Sequence, residues 1–150
     1  MTPTFVEDDE LLYRSVRANS DEYKVQDGKI FISSSAFADR YLRPSVDRSS
    51  MRERPEDARL KATDGVTALI TREVRSIRSV RVKPDDPKVT AVYEIDAKHD
   101  PKLKTDTQPE NLAHCMILCA PDVTKNHFNK RVKEALSIIA TNHGFIVRPT

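Results

Sequence analysis

The stretch that decides the fold is residues 11–50, LLYRSVRANSDEYKVQDGKIFISSSAFADRYLRPSVDRSS. Apolar and polar side chains alternate along residues 10–17 and again along residues 29–33, which is the period of a β-strand. Asp27-Gly28 lies just before the second of these strands, and this residue pair tolerates the positive φ of a tight turn. The chain is therefore predicted to begin with strands and to turn back in a hairpin at this pair.

The rest of the same stretch predicts a break and then a further strand. Ser34 or Ser35 can cap a short helical turn. Arg43-Pro44 favours an extended backbone, because the proline ring disfavours a helical conformation at the residue before it. Residues 45–48 are therefore predicted to form a strand.

The middle of the chain contains an ambiguous pattern. Pro55, followed by two acids, is typical of the first turn of a short helix. Residues 66–70 are apolar enough for a buried strand, and Thr71 could cap a helix after it. A single continuous helix over residues 66–77 fits the same apolar spacing. We favour the strand followed by a helix and keep the continuous helix as the alternative.

The C-terminal half predicts a sheet with a helix packed against it. Residues 113–120 are the most apolar run and are predicted to be a central strand. The fold class is therefore α+β, with a single, mainly antiparallel sheet covered by a long C-terminal helix and by short helices. The remaining elements are strands at 80–82, 89–96 and 145–147, and a helix at 124–142 that Gly144 would end.

Length and charge limit the classes of function. The 150 residues are the size of one domain, so we treat 1–150 as a single compact domain with an acidic, mobile or peripheral tail at residues 1–9. Charged residues make up 32% of the chain, yet the formal net charge is only +2, which gives no overall attraction to nucleic acid or membrane. The start of the chain has no signal-peptide pattern, and no apolar run approaches the roughly 20 residues of a membrane span. We expect a cytoplasmic protein that does not enter a membrane.

Several short motifs resemble a family of small bacterial proteins of about this length. The likeness covers nearly the whole chain and implies no catalytic residues. It implies an accessory protein of a multi-gene locus of the phage-defence or mobile-element type, whose partner is another protein encoded in the same locus. The motifs are Leu12-Tyr13-Arg14, Ser45-Val46-Asp47-Arg48, Gly65-Val66-Thr67-Ala68 with Thr71 and Glu73, and Glu110-Asn111-Leu112-Ala113-His114.

The two cysteines were considered as metal ligands together with His114. Cys115 and Cys119 lie four residues apart, so they point the same way on a strand. A structural zinc site needs four ligands, and the chain offers a single cysteine pair inside its most apolar run. We therefore expect buried thiols, no metal site and no cofactor.

An alternative function is enzymatic. Arg14, the serine run at residues 33–35 and a later acid, Glu94 or Glu110, resemble the arginine, serine and glutamate order of ADP-ribosyltransferases and related NAD-cleaving toxins. The resemblance implies an NAD- or nucleotide-binding enzyme in which Arg14 grips a phosphate, Ser34 orients the ribose and Glu110 stabilises the positive charge that develops on the sugar.

A further alternative is a nucleic-acid-binding accessory protein. Arginines and a lysine cluster within residues 72–83, and arginine suits bidentate contacts with phosphate. Acids are interleaved with the cations, however, and few aromatic side chains are present to stack on bases. Nucleic acid is therefore the less favoured partner.

The function that the sequence favours is a non-enzymatic interaction protein that docks through a charged surface. The proline-stiffened segment at residues 43–49 would lose little entropy on binding, and the basic block at residues 72–83 would face an acidic partner. An internal bracing role for Asp47 and Arg48 is the alternative. The predicted binding residues are Arg43, Ser45, Asp47, Arg48, Arg72 and Arg75.

Overall fold

The computed structural model describes residues 4–83, 86–120 and 130–150, with residues 79–83, 86–91 and 120 described by their backbone alone. Seven strands form one sheet in the order β6-β7-β8-β4-β1-β5-β9, and every neighbouring pair is antiparallel. The strands of this sheet are β1 (Leu11–Val16), β4 (Ser45–Arg48), β5 (Gly65–Ile70), β6 (Arg78–Lys83), β7 (Asp86–His99), β8 (His114–Ala120) and β9 (Phe145–Val147).

A separate hairpin and two α-helices complete the description. The hairpin pairs β2 (Tyr23–Gln26) with β3 (Lys29–Ile32), and its turn has positive φ at Asp27 and Gly28. The helices are α1 (Thr71–Ser76) and α2 (Lys130–His143), and short 3-10 turns lie at Ser34–Phe37, Ser49–Met51 and Pro55–Ala58. The architecture is therefore α+β, as the sequence predicts.

The hydrophobic core lies on one face of the sheet, which we call the helical face. Leu12, Val46 and Ile117 lie on this face and pack with Leu136 of α2 in one buried cluster. The other face, which we call the polar face, carries the alternate residues of the same strands, because side chains alternate along a strand. On β4 this places Val46 on the core side and Ser45 and Asp47 on the polar face.

One glycine sets how closely the C-terminal strand approaches. A Cβ on Gly65 would lie 2.8 Å from Cδ of Pro149 and 2.9 Å from the carbonyl oxygen of Val147. A side chain at this position would therefore push β9 away from β5.

Several sequence predictions agree with the structure. The prediction of a strand followed by a helix is correct for residues 65–76. Nearly all of β5 is buried, as expected for a strand that is covered on both faces of the sheet. The apolar run that contains Cys115 is the central strand β8, between β7 and β4. Gly144 has a φ of 77° and ends α2 as predicted.

Other predictions need correction. The hairpin turn joins β2 to β3, so its first strand is residues 23–26, whose alternation the sequence analysis did not use. The predicted helix after Pro55 is only a 3-10 turn. The described part of α2 has 14 residues, and residues 124–129 of the predicted long helix lie outside the described residues.

The acidic segment at residues 1–9 packs against the sheet from Thr4 onward. Val6 is fully buried in the core cluster. The carboxylate of Asp8 pairs with Arg75. Val6 is the buried residue of the described part, and residues 4, 5 and 7–9 are exposed.

Candidate functional site

A cleft of about 570 Å³ opens on the polar face of the sheet. Its floor is built by β1, β4 and β8, and its walls are three connecting segments, at residues 39, 57–60 and 109–111. The side chains that line it include Tyr13, Arg14, Ser15, Asp39, Ser45, Asp47, Arg52, Asp57, Arg59, Leu60, Glu110, Asn111 and His114.

The register of the sheet places the floor residues side by side. Asp47 on β4 lies opposite Tyr13 of β1 and opposite His114 of β8. Ser45 precedes Asp47 by two residues and therefore projects from the same face. The three strands thus present one row of polar side chains across the middle of the sheet.

Asp47 is held in a closed hydrogen-bond network. Nε of Arg52 donates to Oδ2 of Asp47 at 2.9 Å, and Nη2 of Arg52 donates to Oδ1 of Asn111 at 2.9 Å. Nδ2 of Asn111 then donates to Oδ1 of Asp47, also at 2.9 Å. Both carboxylate oxygens are satisfied, so Asp47 braces the wall of the cleft, as the alternative interpretation of the sequence holds.

His114 joins two elements of the cleft. Its Nε2 lies 2.8 Å from Oγ of Ser45, and its Nδ1 lies 2.8 Å from the backbone oxygen and 3.1 Å from Oδ2 of Asp100. Burial alone would raise the pKa of Asp100, but Lys102 at 2.8 Å and His114 outweigh it and hold that pKa below its ordinary value. Asp100 is therefore a carboxylate at neutral pH.

Arg14 reaches the end of the cleft and is anchored there by backbone oxygens. Its guanidinium donates to the carbonyl oxygens of Ser45 at 2.7 Å, Ala36 at 2.9 Å and Ala38 at 3.4 Å. Burial lowers the pKa of Arg14, and the negative charges of Glu22 and Asp39 oppose this. The guanidinium is therefore fixed at the backbone of Ser45, while alternation along β1 places the side chain of Arg14 on the same face as Leu12.

The residues of the enzymatic alternative come together only in part. Arg14 and Glu110 both line the cleft. Ser34 is not among the lining residues and starts a 3-10 turn, and the hydroxyl of Ser35 donates to the backbone oxygen of Asp21. The serine that lies in the cleft beside Arg14 is Ser45.

Arg48 lies on the opposite side of the sheet from the cleft. Its guanidinium forms two bonds to the carboxylate of Glu10, with Nη2 to Oε1 at 2.9 Å and Nε to Oε2 at 3.1 Å. The two side chains are only 2% and 8% exposed. Burial would raise the pKa of Glu10, but its bonds to Arg48 and Ser50 outweigh it and lower that pKa. Arg48 therefore braces the sheet internally, and its side chain is not part of the protein surface.

The other arginines of the predicted docking surface lie in two separate places. The backbone N–H of Arg43 bonds to Oδ2 of Asp39, so Arg43 lies beside the cleft. Arg72 and Arg75 are on α1 and do not line it. Arg75 is paired with Asp8 and Asp96, which outweigh the effect of burial and raise its pKa.

The thiols of Cys115 and Cys119 are buried on the helical face. Burial raises the pKa of Cys115 to about 12 and also raises that of Cys119. His114 points to the opposite face and is bonded to Ser45 and Asp100, so it does not join the two thiols.

The sequence analysis missed the link between Ser45, His114 and Asp100. From the sequence, His114 was a candidate only together with the cysteines, and Asp100 was not a candidate site residue. The three residues meet because β4 pairs with β8, and Ser45 is 69 residues away from His114 in the chain. A signal was present in the alternation of Ser45 and Asp47, which predicts that both point to one face.

Comparison with known protein families, curated proteins and solved structures gives no match. Across residues 4–83, 86–120 and 130–150, neither helix has the length and apolar character needed to cross a bilayer.

Proposed function

We propose that this chain is an interaction protein that docks a partner protein over the cleft on the polar face. The observation that carries the proposal is the presence of exposed apolar side chains on two separate rims of a charged cleft. Tyr41 is 62% exposed and follows Asp39 on one rim, while Leu60 is 84% exposed on another.

Exposed apolar side chains scattered singly need no explanation, but a group around one cleft is typical of a binding surface. A third one, Leu112, is exposed beside Asn111 on the remaining wall. Burial of these side chains by a partner would supply hydrophobic free energy, and the polar cleft between them would set the specificity.

The rim at residues 39–43 has the composition of an interaction hot spot. The guanidinium of Arg40 lies 5.7 Å from the ring centre of Tyr41, and both residues are exposed. Tyrosine and arginine carry a large share of the binding energy in protein interfaces. The docking surface is therefore Arg40, Tyr41, Leu60 and Leu112 around the cleft, and it replaces the surface predicted from residues 43–49 and 72–83.

The family resemblance supports the nature of the partner. We propose that the partner is a protein encoded in the same bacterial locus, of the phage-defence or mobile-element type, and that docking takes place in the cytoplasm. A partner that inserts a polar or charged side chain between the apolar rims would match the mixed charge of the cleft.

Site-specific photocrosslinking tests the docking surface. A photoreactive amino acid at Leu60 should crosslink the partner in native cells, while the same amino acid at Ile138 should not. Ile138 is a matched control because it is 62% exposed and lies on α2, which covers the opposite face of the sheet. Equal crosslinking from both positions, or crosslinking from Ile138 alone, would show that docking uses another surface.

A second measurement compares the affinity of a variant in the docking surface with that of a control variant on α2. Tyr41→Ala should weaken binding of the crosslinked partner by at least about tenfold, as expected for a hot-spot side chain. Ile138→Ala should leave the affinity unchanged. Unchanged affinity of the Tyr41 variant would remove this rim from the docking surface.

A further inference from the structure

We propose that Ser45, His114 and Asp100 form a nucleophile, base and orienting acid that cleave a carboxylic ester bound in the cleft. The inference goes beyond the proposed docking function, with which it shares the cleft, and it does not require a docked partner. It rests on the hydrogen bonds of His114, the exposure of Ser45 and the negative charge of Asp100.

The partners of His114 fix which ring nitrogen carries the proton. Both groups at Nδ1, the backbone oxygen and the carboxylate of Asp100, can only accept a hydrogen bond, so Nδ1 must donate. In the neutral ring, Nε2 then has its lone pair free to accept the hydroxyl proton of Ser45 at 2.8 Å. This is the arrangement that a general base needs next to a serine nucleophile.

The nucleophile is open to the cleft while its base is shielded. Ser45 is an exposed residue, whereas His114 is buried except for a small fraction. The charge of Asp100 can stabilise the imidazolium that forms when His114 takes a proton. A substrate can therefore reach Oγ of Ser45 without displacing the hydrogen bonds behind it.

Arg14 anchors the backbone of the nucleophile. Its guanidinium donates to three carbonyl oxygens, including that of Ser45 itself. These bonds hold β4 in place at Ser45 before a substrate binds.

The reaction proceeds by acyl transfer and uses water as its only co-reactant. Oγ of Ser45 bonds to the carbonyl carbon, its proton moves to Nε2 of His114, and the carbonyl electron pair moves onto the carbonyl oxygen. Collapse of this intermediate breaks the ester C–O bond, and the leaving alcohol takes the proton from His114. Water then attacks the acyl-serine with His114 again as the base, which releases a carboxylic acid and restores Ser45.

A fluorophosphonate probe tests the nucleophile directly in the full chain. Mass spectrometry should find one adduct per chain, at Ser45. Ser15 is an internal reference because it lines the same cleft but bonds to Asp64 at 3.0 Å and has no imidazole partner. An unmodified Ser45, or equal modification of Ser15, would overturn the proposal.

Two variants separate catalysis from folding. Ser45→Cys should react with iodoacetamide at pH 7 at least about tenfold faster than Ser137→Cys, a control on α2, because His114 would draw the proton from a thiol at position 45. Equal rates in two folded variants would overturn the base role of His114. Hydrolysis of p-nitrophenyl acetate should fall at least about hundredfold in Ser45→Ala and remain unchanged in Ser137→Ala.

Asp100 is a positioning residue, and its test is rescue by the conservative variant. Asp100→Asn should lower the rate of probe labelling by at least about tenfold, because it removes the negative charge 3.1 Å from Nδ1 that stabilises the imidazolium. Asp100→Glu should recover part of that rate. A labelling rate that neither variant changes would overturn the role of Asp100, whereas crosslinking at Leu60 reports on docking alone.

Discussion

The buried ion pair between Glu10 and Arg48 gives a prediction with a definite magnitude. Arg48→Met keeps most of the side-chain volume but removes the charge, so it leaves the carboxylate of Glu10 buried without its main partner. Breaking a buried pair in this way costs about 3–5 kcal/mol. For a chain of 150 residues, where 1 kcal/mol corresponds to about 2–4 °C, the melting temperature should fall by roughly 6–20 °C.

The assay is thermal and urea unfolding of single and double variants. Glu10→Gln should also destabilise the protein, because it leaves the arginine without a charged partner. The double variant should lose less unfolding free energy than the two single variants together, with a coupling energy of at least about 1 kcal/mol. The matched control is Arg54→Met, whose pair with Asp57 is exposed and should contribute at most about 1 kcal/mol.

The pH dependence of the same pair provides an independent check. The folded-state pKa of Glu10 is lowered from 4.5, so its contribution is fully present above the unfolded pKa and is lost as the pH falls through the folded pKa. The difference in stability between the native chain and Glu10→Gln should therefore shrink below about pH 4.5. Single variants that each cost less than about 1 kcal/mol, with additive effects, would refute the bracing role of Arg48.

Two further predictions concern the thiols and the enzymatic alternative. Because burial raises the pKa of Cys115 to about 12, iodoacetamide at pH 8 should label neither Cys115 nor Cys119 until urea unfolds the chain. Elemental analysis should find no stoichiometric zinc. Rapid labelling of the native protein, or one metal ion per chain, would contradict this prediction. Incubation with labelled NAD should give no release of nicotinamide, whereas release that Arg14→Lys and Glu110→Gln both abolish in folded protein would favour the ADP-ribosyltransferase resemblance.

Local patterns predicted most of the strands and helices but not which strands are neighbours in the sheet. The apolar run around Cys115 identifies a central strand because such a run needs cover on both faces. Residues 66–70 were assigned correctly for the same reason. The partner of each strand, in contrast, depends on which distant strand pairs with it, and alternation does not carry that information.

The buried position of Arg48 could have been predicted from the alternation of side chains along β4 alone. Val46 and Arg48 share one face of β4, and a buried Val46 places the arginine in the core as well. The prediction of a surface position for Arg48 relied on its charge instead, because charged side chains usually lie at the protein surface. The partner, Glu10, lies 38 residues away in an acidic segment that composition marks as a tail, so the pairing itself was not predictable from local patterns.

The central position of β4 has a consequence for the kinetics of folding. This strand lies between β1 and β8 in the sheet. Its pairing with β8 joins two segments that are far apart in the sequence, so a long loop of chain must close before the two strands can pair. Pairings between distant segments slow the search for the native state, since the entropy of loop closure is lost before the contacts form. A nascent chain can therefore form the β2–β3 hairpin early, but it cannot assemble the floor of the cleft until β8 has been synthesised.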